Sequence, residues 1–298
     1  MFIKLNKKLI IVVIAFFLFG SNVSFSAIER PTVLLVDKKT NTLNLAFYNN
    51  DSFNTIKTYR ATFGKSVGDK FIEGDLKTPE GIYFFNAFLR PPQIKPKFGV
   101  MAFYMDYPNS IDSLVGRTGS DIMLHATNEP ERLKKDRDSE GCIVVDNQNI
   151  QEIKPYVRLG LTPILVFSEL KEEFLKPKNF SDLRLFFSQW LKDWNQKKID
   201  FYIDHYHDEF QSKNMNRRQW KHYKSALNNK YGEIEINASN IQFFQHPKYS
   251  VIVFKQNYLS KWKNGRVAYQ STSTKKLYVL KEFGKYNIAS EEVTNRFW

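Results

Sequence analysis

The pattern of apolar and polar positions divides the chain into two parts with different periodicity. Between residues 31 and 166, short apolar runs alternate with polar turns, and the runs 32–36 and 42–47 flank a polar segment as the strands of a hairpin do. Many short strands punctuated by Gly and Pro predict a mostly β domain with one short helix at 147–156. The further strand-like runs are 58–63, 81–85, 122–125 and 163–167.

Beyond residue 179 the apolar spacing is first helical and then that of strands. Helices followed by an antiparallel meander predict an α+β domain. The charged segment 169–181, which contains Pro177, is the expected linker, so we predict domains at 27–172 and 173–298. The predicted helices are 180–194, 200–210 and 217–227, and the predicted strands are 233–237, 241–244, 250–258, 266–273 and 275–282.

Residues 1–26 have the pattern of a secretory signal peptide. Three lysines precede an unbroken apolar stretch at 9–19, and Ser24 and Ser26 are the small residues expected before a cleavage site. The stretch is shorter than the roughly 20 residues that a membrane-spanning helix needs. We therefore expect export, cleavage and no stable membrane span, which places the mature protein in the periplasm or cell envelope; a retained membrane anchor is the alternative.

Charge is distributed very unevenly between the two predicted domains. Residues 27–175 carry 19 Lys and Arg against 20 Asp and Glu, whereas residues 176–298 carry 22 against 11. A strongly basic domain attracts polyanions. For an exported protein we expect anionic cell-envelope polymers as partners rather than nucleic acid.

Cys142 is the only cysteine among 298 residues, so no disulfide can form within the chain. It follows Gly141, and His125 lies 17 positions earlier at the end of a strand-like run. An imidazole that meets a thiol across a fold is the minimal requirement for a cysteine nucleophile. A buried cysteine that packs as a small apolar side chain is the alternative. Because an unpaired thiol outside the cytoplasm is open to oxidation, the catalytic interpretation is favoured.

Three segments together resemble the L,D-transpeptidase (YkuD-type) catalytic domains that act on peptidoglycan. They are Gly-Asp-Leu-Lys-Thr-Pro-Glu-Gly at 74–81, the strand that ends at His125, and Ser-Glu-Gly-Cys-Ile at 139–143. The resemblance covers about residues 31–168 and implies a β-rich sandwich. It also implies a thioester, formed by attack on the bond between the L-centre of diaminopimelate and the terminal D-alanine of a tetrapeptide stem, with no cofactor.

The resemblance implies roles for four residues of this chain: Cys142 as nucleophile, His125 as general base, Ala126 as the backbone carbonyl that orients His125, and Gly141 as an oxyanion-hole N–H. The N–H of Cys142 would be the second donor of the oxyanion hole. It also implies that an imidazolium stabilises the thiolate. Val144 stands where the family commonly has arginine, and the charged segment 128–138 can supply a replacement charge. Candidate substrate-binding residues are therefore Ser139, Arg132 and Arg137, with a solvated charged loop as the alternative for 128–138.

The aromatic pattern from Trp190 to Trp220 resembles the NTF2-like cone, in which a sheet curls around three helices. Such a domain after this catalytic domain resembles the L,D-carboxypeptidases that set cell shape in curved and helical bacteria. Three functions stay open: transpeptidation, carboxypeptidation of tetrapeptides to tripeptides, and a catalytically inactive peptidoglycan-binding module. We expect the C-terminal domain to do no chemistry, so that a truncated protein ending near Glu172 would still react at Cys142.

No metal site is expected. His205 and His207 are two positions apart, so on a helix they point in different directions. The chain also has no zinc-ligand spacing and no glycine-rich phosphate loop.

Overall fold

The computed structural model describes residues 30–49, 51–175 and 180–297, so the predicted signal peptide lies outside the described residues. The N-terminal domain is mostly β, as the sequence predicts. Its strands are β1 (Thr32–Asp37), β2 (Thr42–Asn49), β3 (Ser52–Arg60), β4 (Phe63–Gly64), β5 (Gly81–Leu89), β6 (Ala102–Met105), β7 (Met123–His125), β8 (Arg137–Ser139), β9 (Ile143–Val144) and β10 (Pro163–Phe167). Its helices are α1 (Ser110–Leu114) and α2 (Asn147–Ile153), with 3₁₀ turns at Pro96–Phe98, Pro130–Lys134 and Lys154–Tyr156.

Eight of these strands form one mixed sheet in the order β3-β2-β1-β10-β5-β6-β7-β9. The pairs β1–β10 and β7–β9 are parallel, and the other neighbours are antiparallel. A separate short pair joins β4 to β8, directly before the cysteine segment. The edge of the large sheet formed by β7 and β9 therefore carries both His125 and the residues that follow Cys142.

The C-terminal domain places helices before a four-stranded antiparallel sheet of order β13-β14-β15-β16. The apolar faces of its helices pack against one face of this sheet, where Trp190, Tyr202, Tyr206 and Phe210 are almost fully buried. The elements are α3 (Glu172–Leu175), α4 (Phe180–Asn195), α5 (Ile199–Ile203), β11 (Gln211–Ser212), β12 (Met215–Asn216), α6 (Arg217–Lys230), β13 (Glu233–Gln245), β14 (Ser250–Lys261), β15 (Val267–Glu282) and β16 (Lys285–Thr294).

Besides a core of its own in each domain, the structure has a hydrophobic core at the interface to which both domains contribute. Because successive strand residues point to opposite faces, β1 sends Leu34 and Val36 into the N-terminal core and Val33 and Leu35 to the other face. That second face is covered by the C-terminal sheet. The residues that meet there include Ile82, Phe84 and Leu165 from the first domain and Phe244, Val251, Val253 and Tyr278 from the second.

This shared core argues against the expectation that the catalytic domain stands alone when the chain ends near Glu172. Such a truncation would expose a continuous apolar sheet face, and exposed apolar patches of that kind favour aggregation. None of the helices in the described ranges has the length and apolar character needed to cross a bilayer.

Candidate active site

Cys142 and His125 line the same cleft, which has a volume of about 570 Å³. The parallel pairing of β7 with β9 brings them together, since it sets Leu124 beside Ile143 and His125 beside Val144. His125 is 1% exposed and Cys142 is partly buried. The two residues singled out in the sequence are therefore neighbours in the fold.

The turn before β9 is held by the side chain of Ser139. Its hydroxyl donates to the carbonyl oxygen of Cys142 at 2.6 Å and accepts from the N–H of Gly141 at 3.1 Å. Gly141 has φ 132°, and a Cβ there would lie 2.9 Å from the carbonyl oxygen of Lys77. A side chain at 141 would therefore combine backbone strain with a steric clash.

These contacts change two of the roles expected from the sequence. The Gly141 N–H is engaged inside the turn, so it is not free to bind an oxyanion, and the Cys142 N–H is the remaining candidate of the two. Ser139 bonds to the backbone of the turn, so we interpret it as a residue that shapes the nucleophile segment rather than one that binds substrate.

The His125 ring is oriented by a backbone carbonyl. Its Nδ1 lies 2.5 Å from the carbonyl oxygen of Ala126. A carbonyl can only accept, so Nδ1 carries the hydrogen and Nε2 is the basic nitrogen. Phe98 packs edge-on against the imidazole, with the ring centroids 4.8 Å apart.

Ala126 fits at this position because Gly99 faces it. Gly99 has φ 67°, and a Cβ there would lie 2.6 Å from the Ala126 Cβ and 2.4 Å from Asn147 Oδ1. The absence of a side chain at 99 thus leaves room for the methyl group of Ala126. The segment that carries Phe98 can then pack closely on the segment that follows His125.

Burial favours the neutral form of both side chains of the pair. It lowers the pKa of His125 to about 4, with the cations Arg132 and Lys97 acting in the same direction and the bond to Ala126 opposing them. Burial also raises the pKa of Cys142 to about 11. The thiol lies 3.6 Å from the carbonyl oxygen of Asp121, to which it donates. The resting site thus differs from the expected thiolate–imidazolium pair.

Four basic and four acidic side chains line the cleft. Arg132 lines it and is fixed by Asp138, with Nε 2.9 Å from the carboxylate. Arg137 is not among the cleft-lining residues; it lies on β8. Arg132 therefore stays a candidate for substrate binding, whereas the structure gives no support to Arg137.

Several cleft residues were missed in the sequence because they come from irregular segments without a motif. Three lysines and two aromatic side chains join Arg132 in lining the cleft. Only the fold brings the segments around residues 65, 95–98, 104 and 120–123 to one cleft. These residues are Lys65, Lys95, Lys97, Phe98 and Tyr104.

A second cleft, of about 400 Å³, lies in the C-terminal domain. Two buried lysines reach it: Lys275 pairs with Glu291 at 2.6 Å, and the Lys224 ammonium lies 3.8 Å from the centre of the Trp194 ring. No group of three or more His, Cys, Asp or Glu side chains in the described ranges is arranged to hold a metal ion. His205 instead pairs with Asp193, and His207 with Glu282.

Two family models match the chain. Residues 31–166 match the YkuD family, the L,D-transpeptidase catalytic domain, and residues 182–292 match the Cds6 C-terminal NTF2-like domain. YafK of Escherichia coli (strain K12) is 28% identical over 141 residues, which are 47% of this chain and 50% of that protein. The chain thus spans about half the length of the curated relatives that it matches.

Solved structures resemble the chain over both domains. Bd1075 of Bdellovibrio bacteriovorus is 33% identical with a TM-score of 0.75, covering 90% of this chain and 94% of that one. Pgp2 of Campylobacter jejuni, described as a helical cell shape determining protein, is 25% identical with a TM-score of 0.69, covering 88% and 92%. The predicted fold class is confirmed, and the chain belongs to the L,D-transpeptidase family, with a YkuD-type catalytic domain followed by an NTF2-like α+β domain.

Proposed function

We propose that this protein is an exported cysteine acyltransferase that attacks the diaminopimelate–D-alanine bond of peptidoglycan tetrapeptide stems. The observation that carries the proposal is the placement of Cys142 and His125 in one cleft, with His125 fixed so that Nε2 is its basic nitrogen. The membership in the L,D-transpeptidase family supports the substrate class. Export by residues 1–26 and work in the periplasm or cell envelope are part of the same proposal.

The reaction begins from the neutral pair. His125 Nε2 removes the thiol proton as Sγ of Cys142 bonds to the carbonyl carbon at the L-centre of diaminopimelate. The Cys142 N–H donates to the oxyanion that forms, a contribution worth several kcal/mol in acyl transfer. When the intermediate collapses, the C–N bond breaks and the D-alanine amine leaves with the proton held by the imidazolium. The product is a thioester on Cys142.

The thioester is resolved by an acceptor whose proton His125 again removes. An amine of a second stem gives a cross-link, which is transpeptidation, and water gives a tripeptide, which is carboxypeptidation. The likeness to Pgp2, a cell shape determining protein, favours the second outcome and a role in cell shape. Val144 is fully buried, so the position where the family commonly has arginine supplies no charge to the cleft.

The basic C-terminal domain supports a second contact with the cell envelope. Residues 176–298 carry 22 basic against 11 acidic residues, which favours association with anionic envelope polymers. Such attraction is screened over about 8 Å at physiological ionic strength, so binding to isolated sacculi should weaken as salt is added.

The test is the digestion of purified tetrapeptide muropeptides, analysed by mass spectrometry. Wild-type protein should release D-alanine, and Cys142→Ala and His125→Ala should each abolish the release, whereas the exposed-histidine control His222→Ala should keep it. New tripeptides identify hydrolysis, and new 3–3 cross-links identify transfer. If the wild-type protein binds sacculi but leaves the muropeptides unchanged, the enzyme proposal fails and the binding-module alternative takes its place.

A further inference from the structure

The turn between β13 and β14 of the C-terminal domain inserts into the N-terminal domain. His246 donates from Nε2 to the carbonyl oxygen of Val166 at 3.0 Å. The Tyr249 hydroxyl bonds to the backbone of Ile82 at 2.8 and 2.9 Å and accepts from Asn109 at 2.8 Å. His246 and Tyr249 are 5% and 3% exposed, so this 246–249 turn is part of the domain interface.

Lys248, in the middle of this turn, reaches a different target from its neighbours. Its ammonium pairs with Asp69 and donates to the carbonyl oxygen of Glu80 at 2.8 Å. Asp69 also accepts from Arg117 at 2.5 Å and from the Glu80 N–H at 2.7 Å. Lys248 thus holds both ends of the segment 69–80, which contains the sequence 74–81 noted above.

The inner side of the same loop supports the cysteine turn. Thr78 accepts from the N–H of Gly64 at 2.9 Å, and the N–H of Lys65 donates to the carbonyl oxygen of Ser139 at 2.8 Å. The Lys77 carbonyl packs directly against Gly141, where even one methyl group would come within 2.9 Å. The loop 64–80 is therefore the surface on which the Cys142 turn rests.

We propose that Lys248 is a positioning residue: through Asp69 and Glu80 it lets the C-terminal domain hold the loop 64–80, and with it the Cys142 turn, in the reactive geometry. This inference rests on the proposed function only where its test measures the release of D-alanine. The accessory domain thereby contributes to catalysis through the loop, without a side chain of its own in the cleft.

Because the apolar core at the interface holds the domains together, the role of Lys248 in the loop can be tested separately from domain association. The apolar cluster that holds Phe84 and Leu165 together with Phe244 and Val251 does not include Lys248, so substitution of Lys248 leaves it intact. The Lys248 side chain is 31% exposed, so its loss should cost little stability. Its contacts are with the loop 64–80, so its loss should affect the order of that loop and not the association of the two domains.

The experiment compares Lys248→Met, Lys248→Arg and the matched control Lys285→Met, an exposed lysine of β16, in the full-length protein. Three properties are measured: amide hydrogen exchange of residues 65–80, the rate of Cys142 alkylation by iodoacetamide, and kcat and KM for D-alanine release. Lys248→Met should speed exchange in the loop, change the alkylation rate and lower kcat by about tenfold with a smaller change in KM. Lys248→Arg should restore most of the loss, and Lys285→Met should match the wild type.

Wild-type exchange and wild-type kcat in a folded Lys248→Met protein would overturn the proposal. If that variant does not fold, Lys248→Gln, which can still donate to Glu80, is measured in the same way. A wild-type protein without D-alanine release would defeat the proposed function instead, and loop exchange and alkylation would then still decide the role of Lys248.

Discussion

His125 and Cys142 lie in a part of the cleft where burial decides the charge of both side chains. The two residues could be predicted from the sequence because the segments around them resemble a family motif. Their protonation could not, because it depends on the packing of Phe98 and on cations from segments far apart in the chain. The engagement of the Gly141 N–H by Ser139 was also beyond the sequence, since it depends on a side-chain rotamer.

The alkylation rate of Cys142 as a function of pH tests this description of the pair. Because the chain has one cysteine, iodoacetamide reports on Cys142 alone. With the pKa of Cys142 raised to about 11, the thiolate fraction and the alkylation rate should rise about tenfold per pH unit from about pH 7 to pH 9. A rate that is already constant from about pH 6 upward would show a resident thiolate–imidazolium pair and contradict the account.

Among the strands, those that coincide with a continuous apolar run could be predicted from the sequence. The extent of strands that contain buried polar residues could not. The run 163–167 was predicted and found as β10. The predicted strands 266–273 and 275–282 are one strand, β15, because Lys275 and Lys276 are buried in its middle and their partners lie elsewhere in the fold. The predicted strands 233–237 and 241–244 are likewise one strand with a bulge near Asn240.

The boundaries of the C-terminal helices show the same limit. The predicted helix 200–210 ends at Ile203, as α5, because Tyr206 leaves the helix to bridge to Ile288. The strand that contains Ile288, β16, was not predicted at all. Its buried acidic residue, Glu291, pairs with Lys275 and accepts a hydrogen bond from Tyr206, and no local sequence pattern reveals these partners.

Glu291→Gln should strongly destabilise the C-terminal domain. Removing one partner of a buried ion pair leaves the charge of Lys275 uncompensated, so we expect the free energy of unfolding to fall by about 3 kcal/mol in urea denaturation. The control is Glu282→Gln on β15, whose carboxylate is exposed and should matter by less than about 0.5 kcal/mol. Equal effects of the two substitutions would show that the buried pair contributes little.

At the scale of the whole molecule, the two predicted domains are one structural unit. Periodicity and charge distinguish the two domains in the sequence. They do not show which face of the N-terminal sheet packs against the C-terminal domain. That face became evident only where Phe84 and Leu165 meet Phe244 and Val251 across the interface. The insertion of the 246–249 turn adds polar contacts to the same interface.

Unfolding followed by two probes tests this unity. All five tryptophans lie beyond residue 189, so their fluorescence reports on the C-terminal domain, while the reactivity of the single cysteine reports on the N-terminal domain. Because the core is shared, the two urea transitions should coincide, as they do for one cooperative unit. Transitions with separate midpoints would instead show that the domains unfold independently.

A thioester on Cys142 is the intermediate on which the proposed reaction depends, and it is detected by the mass of the protein after acid quenching during turnover of a tetrapeptide muropeptide. We predict an added mass equal to the muropeptide minus D-alanine, located by peptide mapping on Cys142 and absent from Cys142→Ala. An adduct on another residue, or release of D-alanine by Cys142→Ala at the wild-type rate, would contradict it.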